Sequence, residues 1–159
     1  MKQLSIFLFI VLSACHTPAP TTANSSNETT ASKKINSDVK QIEFRTGSRA
    51  YHKQFTFTKD SVILIVNSSL DHTASLDSKN AIKAEEWNKL ITSLQGVDVR
   101  QLEKLESPTM KRAVDAADGS TLTVTTTKES SHSFDNLEPN EQLKKLLDVI
   151  LEIEKSRKN

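Results

Sequence analysis

The chain has 159 residues, with 21 Lys plus Arg against 20 Asp plus Glu and a formal net charge of +1. A balance this close to neutral argues against a dedicated nucleic-acid binder, which needs a basic face to displace counterions from phosphates. The chain holds one cysteine and three glycines, which excludes an intramolecular disulfide scaffold and leaves little room for a Gly-rich phosphate loop.

At the amino terminus Lys2 precedes an apolar run over residues 4–12, and small Ser13 and Ala14 lead to Cys15. This is the charged, apolar and small-residue order of a secretory signal. The apolar run is far below the roughly 20 residues that span a bilayer, so the segment reads as cleaved rather than retained.

Leu12-Ser13-Ala14-Cys15 resembles the lipobox of bacterial lipoproteins, Leu-(Ala/Ser)-(Gly/Ala)-Cys. The resemblance implies that residues 1–14 are removed, that the Cys15 thiol carries diacylglycerol, and that the freed amine is acylated. At about 0.8 kcal/mol per buried methylene, two or three acyl chains hold a protein on a bilayer essentially permanently. Lipoprotein sorting further implies an outer-membrane location facing the periplasm, because His16 rather than Asp follows the cysteine and the first acidic residue is Glu28.

Loss of Lys2 with the signal leaves 20 basic against 20 acidic residues. Residues 16–37 are Thr, Ser, Asn, Ala and Pro with almost nothing apolar. Such a stretch cannot bury enough surface to offset its ordering entropy and reads as a tether, its ends about 25 Å apart as a flexible coil.

Residues 38–157 carry the regular apolar patterning of one domain. Ile42 and Phe44 alternate with Glu43 and Arg45, and Tyr51, Phe55 and Phe57 alternate with His52, Gln54 and Thr56, so both segments read as half-buried strands around a Thr46-Gly47-Ser48 turn. Residues 61–66 are apolar on both faces and predict a central strand covered on more than one side. A short strand is expected at 73–77.

Trp87, Leu90, Ile91 and Leu94 fall at helical spacing and Gly96 follows, predicting an amphipathic helix over 84–95. Val97 and Val99 suggest a strand, followed by an irregular segment through Leu102 and Leu105 to Pro108. Residues 112–115, 121–127 and 131–134 read as three short strands, the first two joined through Asp118-Gly119. Leu143, Leu146, Leu147, Ile150 and Ile153 form one stripe of a closing helix opened by Pro139 and Asn140. The expected fold is a single α+β domain, an antiparallel sheet of about 5–7 strands with two amphipathic helices on one face.

The succession Trp87…Leu90, Leu102…Leu105…Ser107-Pro108-Thr109, Arg112…Asp115…Ala117, Leu122-Thr123-Val124, Ser133-Phe134-Asp135 and Pro139…Leu143 resembles small uncharacterised lipoproteins of Bacteroidetes-type bacteria. It covers roughly residues 85–153. Those proteins often continue Phe-Asp with His-Gly, where this chain has Asn136-Leu137-Glu138, so no role for that histidine transfers. The resemblance implies a compact domain and no particular activity.

The chain has no CxxC, HExxH or Gly-x-Ser-x-Gly. His16, His52, His72 and His132 have no partner at a metal-site spacing, and Asp115-Ala116-Ala117-Asp118-Gly119 lacks the further ligands of a calcium loop, so neither a metal nor a cofactor is expected. In alternating strands His52 and His132 read as polar-face or hairpin residues. The richest segment holds Arg45, Arg49, His52 and Lys53 around one hairpin. Arg45 and Arg49 flanking Gly47-Ser48 are suited to grip a phosphate or carboxylate, though charges at such a place also keep an edge strand from pairing with neighbours.

The leading functional expectation is therefore a non-catalytic, membrane-tethered binding or accessory module with an envelope protein or ligand as partner. Two alternatives stand beside it. One is a small envelope hydrolase using His132, Asp135 and Asp115 brought together by folding; the other is an inhibitor or immunity-like protein acting through an exposed loop.

Overall fold

A computed structural model of the chain describes residues 38–68, 76–111 and 118–157. The expected signal, Cys15 and the tether lie outside the described residues, as do His72, Asp115, the strand expected at 112–115 and the first part of that expected at 73–77.

Six strands and two helices make the domain: β1 (Gln41–Gly47), β2 (Tyr51–Thr58), β3 (Ser61–Ser68), β4 (Leu76–Ala81), α1 (Ala84–Ser93), β5 (Gly119–Thr125), β6 (Glu129–Asp135) and α2 (Lys144–Arg157). The strands form one sheet of order β4-β3-β2-β1-β5-β6, antiparallel throughout. The first four strands are a meander. The chain then crosses through α1 and lays the β5–β6 hairpin on the other side of β1, so β1 sits inside the sheet with partners far apart in sequence.

Register explains the core. Ile42 faces Phe57 on one side and Val124 on the other, and Phe44 faces Phe55 and Leu122. Because side chains alternate across a strand, these six share one face, and all are buried. Trp87, Leu90 and Leu94 at α1 and Leu146, Leu147, Ile150 and Ile153 on α2 join the same cluster. Both helices therefore cover one face of the sheet. The other face, carrying Glu43, Arg45, Gln54, Thr56, Ile63, Ile65, Thr121 and Thr123, has no helix over it among the described residues and is half-exposed along most of its length.

Local chemistry sets the element ends. Glu86 on the first turn of α1 accepts a hydrogen bond from the Lys83 amide at 2.9 Å and an ion pair from Arg157 of α2 at 2.5 Å, which satisfies a helix-end donor and ties the two helices together. Thr58 Oγ1 accepts from the Ser61 amide at 3.1 Å across the tight β2–β3 connection. Asn140 caps the short 3-10 turn Glu141–Leu143 through the Gln142 amide at 3.1 Å and runs the chain into α2.

Two expectations need correction. Val97 and Val99 are buried but form no strand; they lie in turns, where the Val97 amide bonds Leu94 and the Gln101 amide bonds Asp98. Their two-residue spacing reflects two side chains dropping into the core, not a ladder. The strand at 61–66 is β3, second from an edge, and on the side of Ile63 and Ile65 it is half-buried, with no helix over it among the described residues. Of the short strand expected at 73–77, the described residues 76–77 open β4, which runs on to Ala81.

Candidate binding site

On the sheet face that no described helix covers, where β1 ends at the β1–β2 hairpin, lies an open concavity of about 520 Å³. Its geometry follows from two glycines. Gly47, the last residue of β1, stands opposite His52 of β2 and Gly119 of β5, and with no side chain at either glycine the floor is bare backbone. Arg45 and Thr121 border the floor toward the middle of the sheet, and Gln54, Ile65 and Asn67 continue it across β2 and β3.

Gly47 is required where it sits. Its φ is +153°, and a Cβ there would stand 2.0 Å from the Tyr51 carbonyl oxygen. The approach is close because the Ser48 amide donates to that same carbonyl at 2.8 Å, closing the hairpin. Gly119 differs: a Cβ there meets nothing within 4 Å, so its missing side chain opens the concavity without relieving any backbone clash.

Three side chains on this face form one polar chain. Arg45 Nε lies 2.8 Å from Glu43 Oε1, and Gln54 Nε2 donates to Glu43 Oε2 at 2.9 Å. The Glu43 side chain is 14% exposed and that of Arg45 is 61% exposed. Glu43 thus holds the guanidinium from below, at the border of the concavity.

Of the four residues singled out in the hairpin, Arg45 and His52 line the concavity from the open face, and Arg49 stands in the turn beside it. Lys53 contributes to the lining, but its ammonium is engaged on the helix side, donating to both carboxylate oxygens of Glu154 on α2 at 2.8 and 2.9 Å. Strand parity is the reason: Lys53 shares the face of Phe55 and Phe57, and its nitrogen lies 5.6 Å from the Phe55 ring centre. That parity is visible in the sequence once β2 is recognised. Glu43, Gln54 and Asn67 meet through the pairing of consecutive strands β1, β2 and β3, whereas Gly119 carries no local signal of its place here, since it arrives only by pairing with Gly47, more than 70 residues away.

The acid-base alternative finds different surroundings. His132 is not on the polar face; it is buried and stacks on Phe134, ring centres 5.7 Å apart. Alternation from Phe134 puts it on the helix side. Asp135 is also buried, and its carboxylate accepts from Thr109 Oγ1 and from the Lys111 amide at 2.6 Å, which pins the 109–111 segment to the end of β6. His132 and Asp135, three apart on one strand, project to opposite faces. Among the described residues no three His, Cys, Asp or Glu side chains converge as a metal site.

The fold and this site define a two-layer α+β domain that carries an open concavity on the sheet face no described helix covers. The chain matches no model of a known protein family and no curated protein. Among the described residues no helix is long and apolar enough to cross a membrane.

Proposed function

We propose that this chain is a lipid-anchored accessory module of the bacterial cell envelope, held at the outer membrane through Cys15 and binding its ligand in the concavity at the end of β1. The observation that carries this reading is the concavity itself: an open hollow on the sheet face that no described helix covers, floored by Gly47 and Gly119 and bordered by Arg45 and His52. Small-molecule sites are concave and combine a few placed polar groups with a preformed wall. The burial of His132 in the apolar core supports binding rather than acid-base chemistry at that residue.

Polarity of the chain adds to the reading. Residues 15–37 join the domain ahead of Gln41, whereas the concavity lies at Gly47, the opposite end of β1. The strand separates the two by about 20 Å. A flexible tether does not fix the domain's orientation, but with the concavity at the far end of β1 it lets that end reach a ligand or partner away from the bilayer.

Two measurements test the proposal. Cys15→Ser is expected to move the protein from the membrane to the soluble fraction and to abolish radiolabelled palmitate incorporation, with the thermal unfolding midpoint unchanged. Capture from envelope extracts is expected to be lost in an Arg45→Ala/Arg49→Ala variant that still folds. A Cys15→Ser protein that stays acylated and membrane-bound overturns the anchor; capture that survives the double substitution overturns the site.

A further inference from the structure

We infer that the concavity takes a small ligand carrying a single carboxylate on a hydroxyl- or amide-rich body, with the carboxylate seated on the Arg45 guanidinium. This rests on the binding-module reading and names its ligand class.

Charge is the first argument. The Lys53 ammonium is diverted to Glu154 on the helix side, and Glu43 offsets Arg45 on the open face. Arg45 is therefore the fixed cation facing the hollow from its lining, beside His52; Glu43, outside the lining, offsets it, and Arg49 stands in the adjacent turn. A polyanion binds through several cations that together release counterions, whereas among the described lining residues one guanidinium, that of Arg45, turns a fixed charge to this hollow. A single carboxylate needs only one well-oriented fork.

Arg45 supplies that fork. It meets Glu43 through Nε, and a guanidinium has five N–H donors in one plane, so the terminal nitrogens retain donors for a bidentate carboxylate contact. Glu43 supports this geometry. One of its oxygens accepts from Arg45 and the other from Gln54, so the carboxylate is turned to protein donors and fixes the guanidinium against the sheet.

The floor selects the body of the ligand. Gly47 and Gly119 let it lie against the backbone, while Gln54, whose Nε2 is bound to Glu43 and Thr56, keeps its carbonyl oxygen as an acceptor, and the Thr121 hydroxyl, paired with Ser133, keeps a further lone pair. Such a lining complements hydroxyls and amides. A hollow of about 520 Å³ suits a sugar acid or the carboxyl end of a short peptide, two sources of the same chemistry.

The test uses the full-length chain, 15N-labelled, in detergent micelles. The probes are sodium glucuronate and an N-acetylated dipeptide with a free carboxylate, with glucose and the amidated dipeptide as uncharged controls and inorganic phosphate as a competitor. At least one carboxylate probe is expected to shift the Gly47, His52 and Gly119 amide signals saturably, at least tenfold more tightly than its control. Arg45→Gln is expected to weaken that binding tenfold or more. Gly119→Val is expected to abolish it with the unfolding midpoint little changed, because its Cβ enters open space.

Equal binding of probe and control, binding indifferent to Arg45→Gln, phosphate binding more tightly than both carboxylates, or no saturable carboxylate binding overturns the inference. If Gly119→Val still abolishes capture from envelope extracts in such a case, the concavity remains a binding site and only the ligand class fails. If capture also survives Gly119→Val, the binding-module reading fails with it.

Discussion

Lys53 Nζ lies 2.8 and 2.9 Å from the two carboxylate oxygens of Glu154, joining β2 to α2 across 101 positions of sequence. The pair sits at the margin of the core, with side-chain exposures of 17% and 8%. Removing one partner from such a site leaves a charge poorly hydrated, whereas replacing both by apolar side chains removes the desolvation problem with the attraction. Lys53→Met alone is expected to cost about 2 kcal/mol, somewhat less than for a fully buried pair. The Lys53→Met/Glu154→Leu double variant is expected to recover most of that loss in urea denaturation. A double variant as unstable as the two single losses summed would show that the charges do not act as a pair.

The two glycines of the concavity floor are expected to respond in opposite ways. Alanine at Gly47 must adopt φ near +153° with its Cβ against the Tyr51 carbonyl. Strain of that kind costs on the order of 1–3 kcal/mol, and relief requires the hairpin to open. Alanine at Gly119 meets open space and removes unfolded-state freedom, so stability is expected to stay the same or rise by about 0.5 kcal/mol. Chemical denaturation of the two variants side by side decides the matter, and equal losses would mean that the hairpin geometry is not set by Gly47.

Glu86 makes two contacts that can be separated by substitution. Its carboxylate accepts from the Lys83 amide at the start of α1 and pairs with Arg157 of α2, the side chains being 16% and 24% exposed. Glu86→Ala removes cap and ion pair together and is expected to cost about 1–2 kcal/mol. Arg157→Ala removes only the partner and is expected to cost less, about 0.5–1 kcal/mol, as partly exposed pairs do. The reverse ranking of the two unfolding midpoints would show that the cap contributes little.

Much of this architecture is legible from local pattern. The alternation of Ile42 and Phe44, and of Phe55 and Phe57, specifies β1 and β2 because one face of each is buried. The helix at Trp87, Leu90 and Leu94 ends close to Gly96, as the stop signal predicts. What local pattern misleads on has physical causes. Ile63 and Ile65 suggest a strand covered on both sides, yet they lie half-buried on the face that no described helix covers, beside the concavity. Residues of β4 show no apolar alternation because its core-side neighbours, Ser78 and Asn80, stand at the sheet margin opposite Leu64 and Val62. At the site, Arg45 and His52 are readable from one hairpin, whereas Gly119 reaches the hollow only through the β1–β5 pairing.

The contact between Ser130 and the 3-10 turn at Leu102–Lys104 couples packing to pH. Ser130 Oγ accepts from the Leu102 amide at 2.8 Å and donates to the Glu103 carboxylate, fastening the segment after α1 to β6. That donation, joined by the Glu103 backbone amide, holds the Glu103 carboxyl below the ordinary glutamate value. A carboxylate with a depressed folded-state pKa adds stability that is present above its unfolded value and is lost as pH falls through the folded one. Glu103 is solvent-exposed, so its share of the acid sensitivity is small. Ser130→Ala is expected to let the Glu103 carboxyl rise toward the ordinary value, read by carboxyl-carbon NMR titration. The same substitution leaves the buried Leu102 amide without its acceptor and is expected to cost about 1–3 kcal/mol at neutral pH. A Glu103 titration unchanged in Ser130→Ala would assign the depressed pKa to the backbone amide alone.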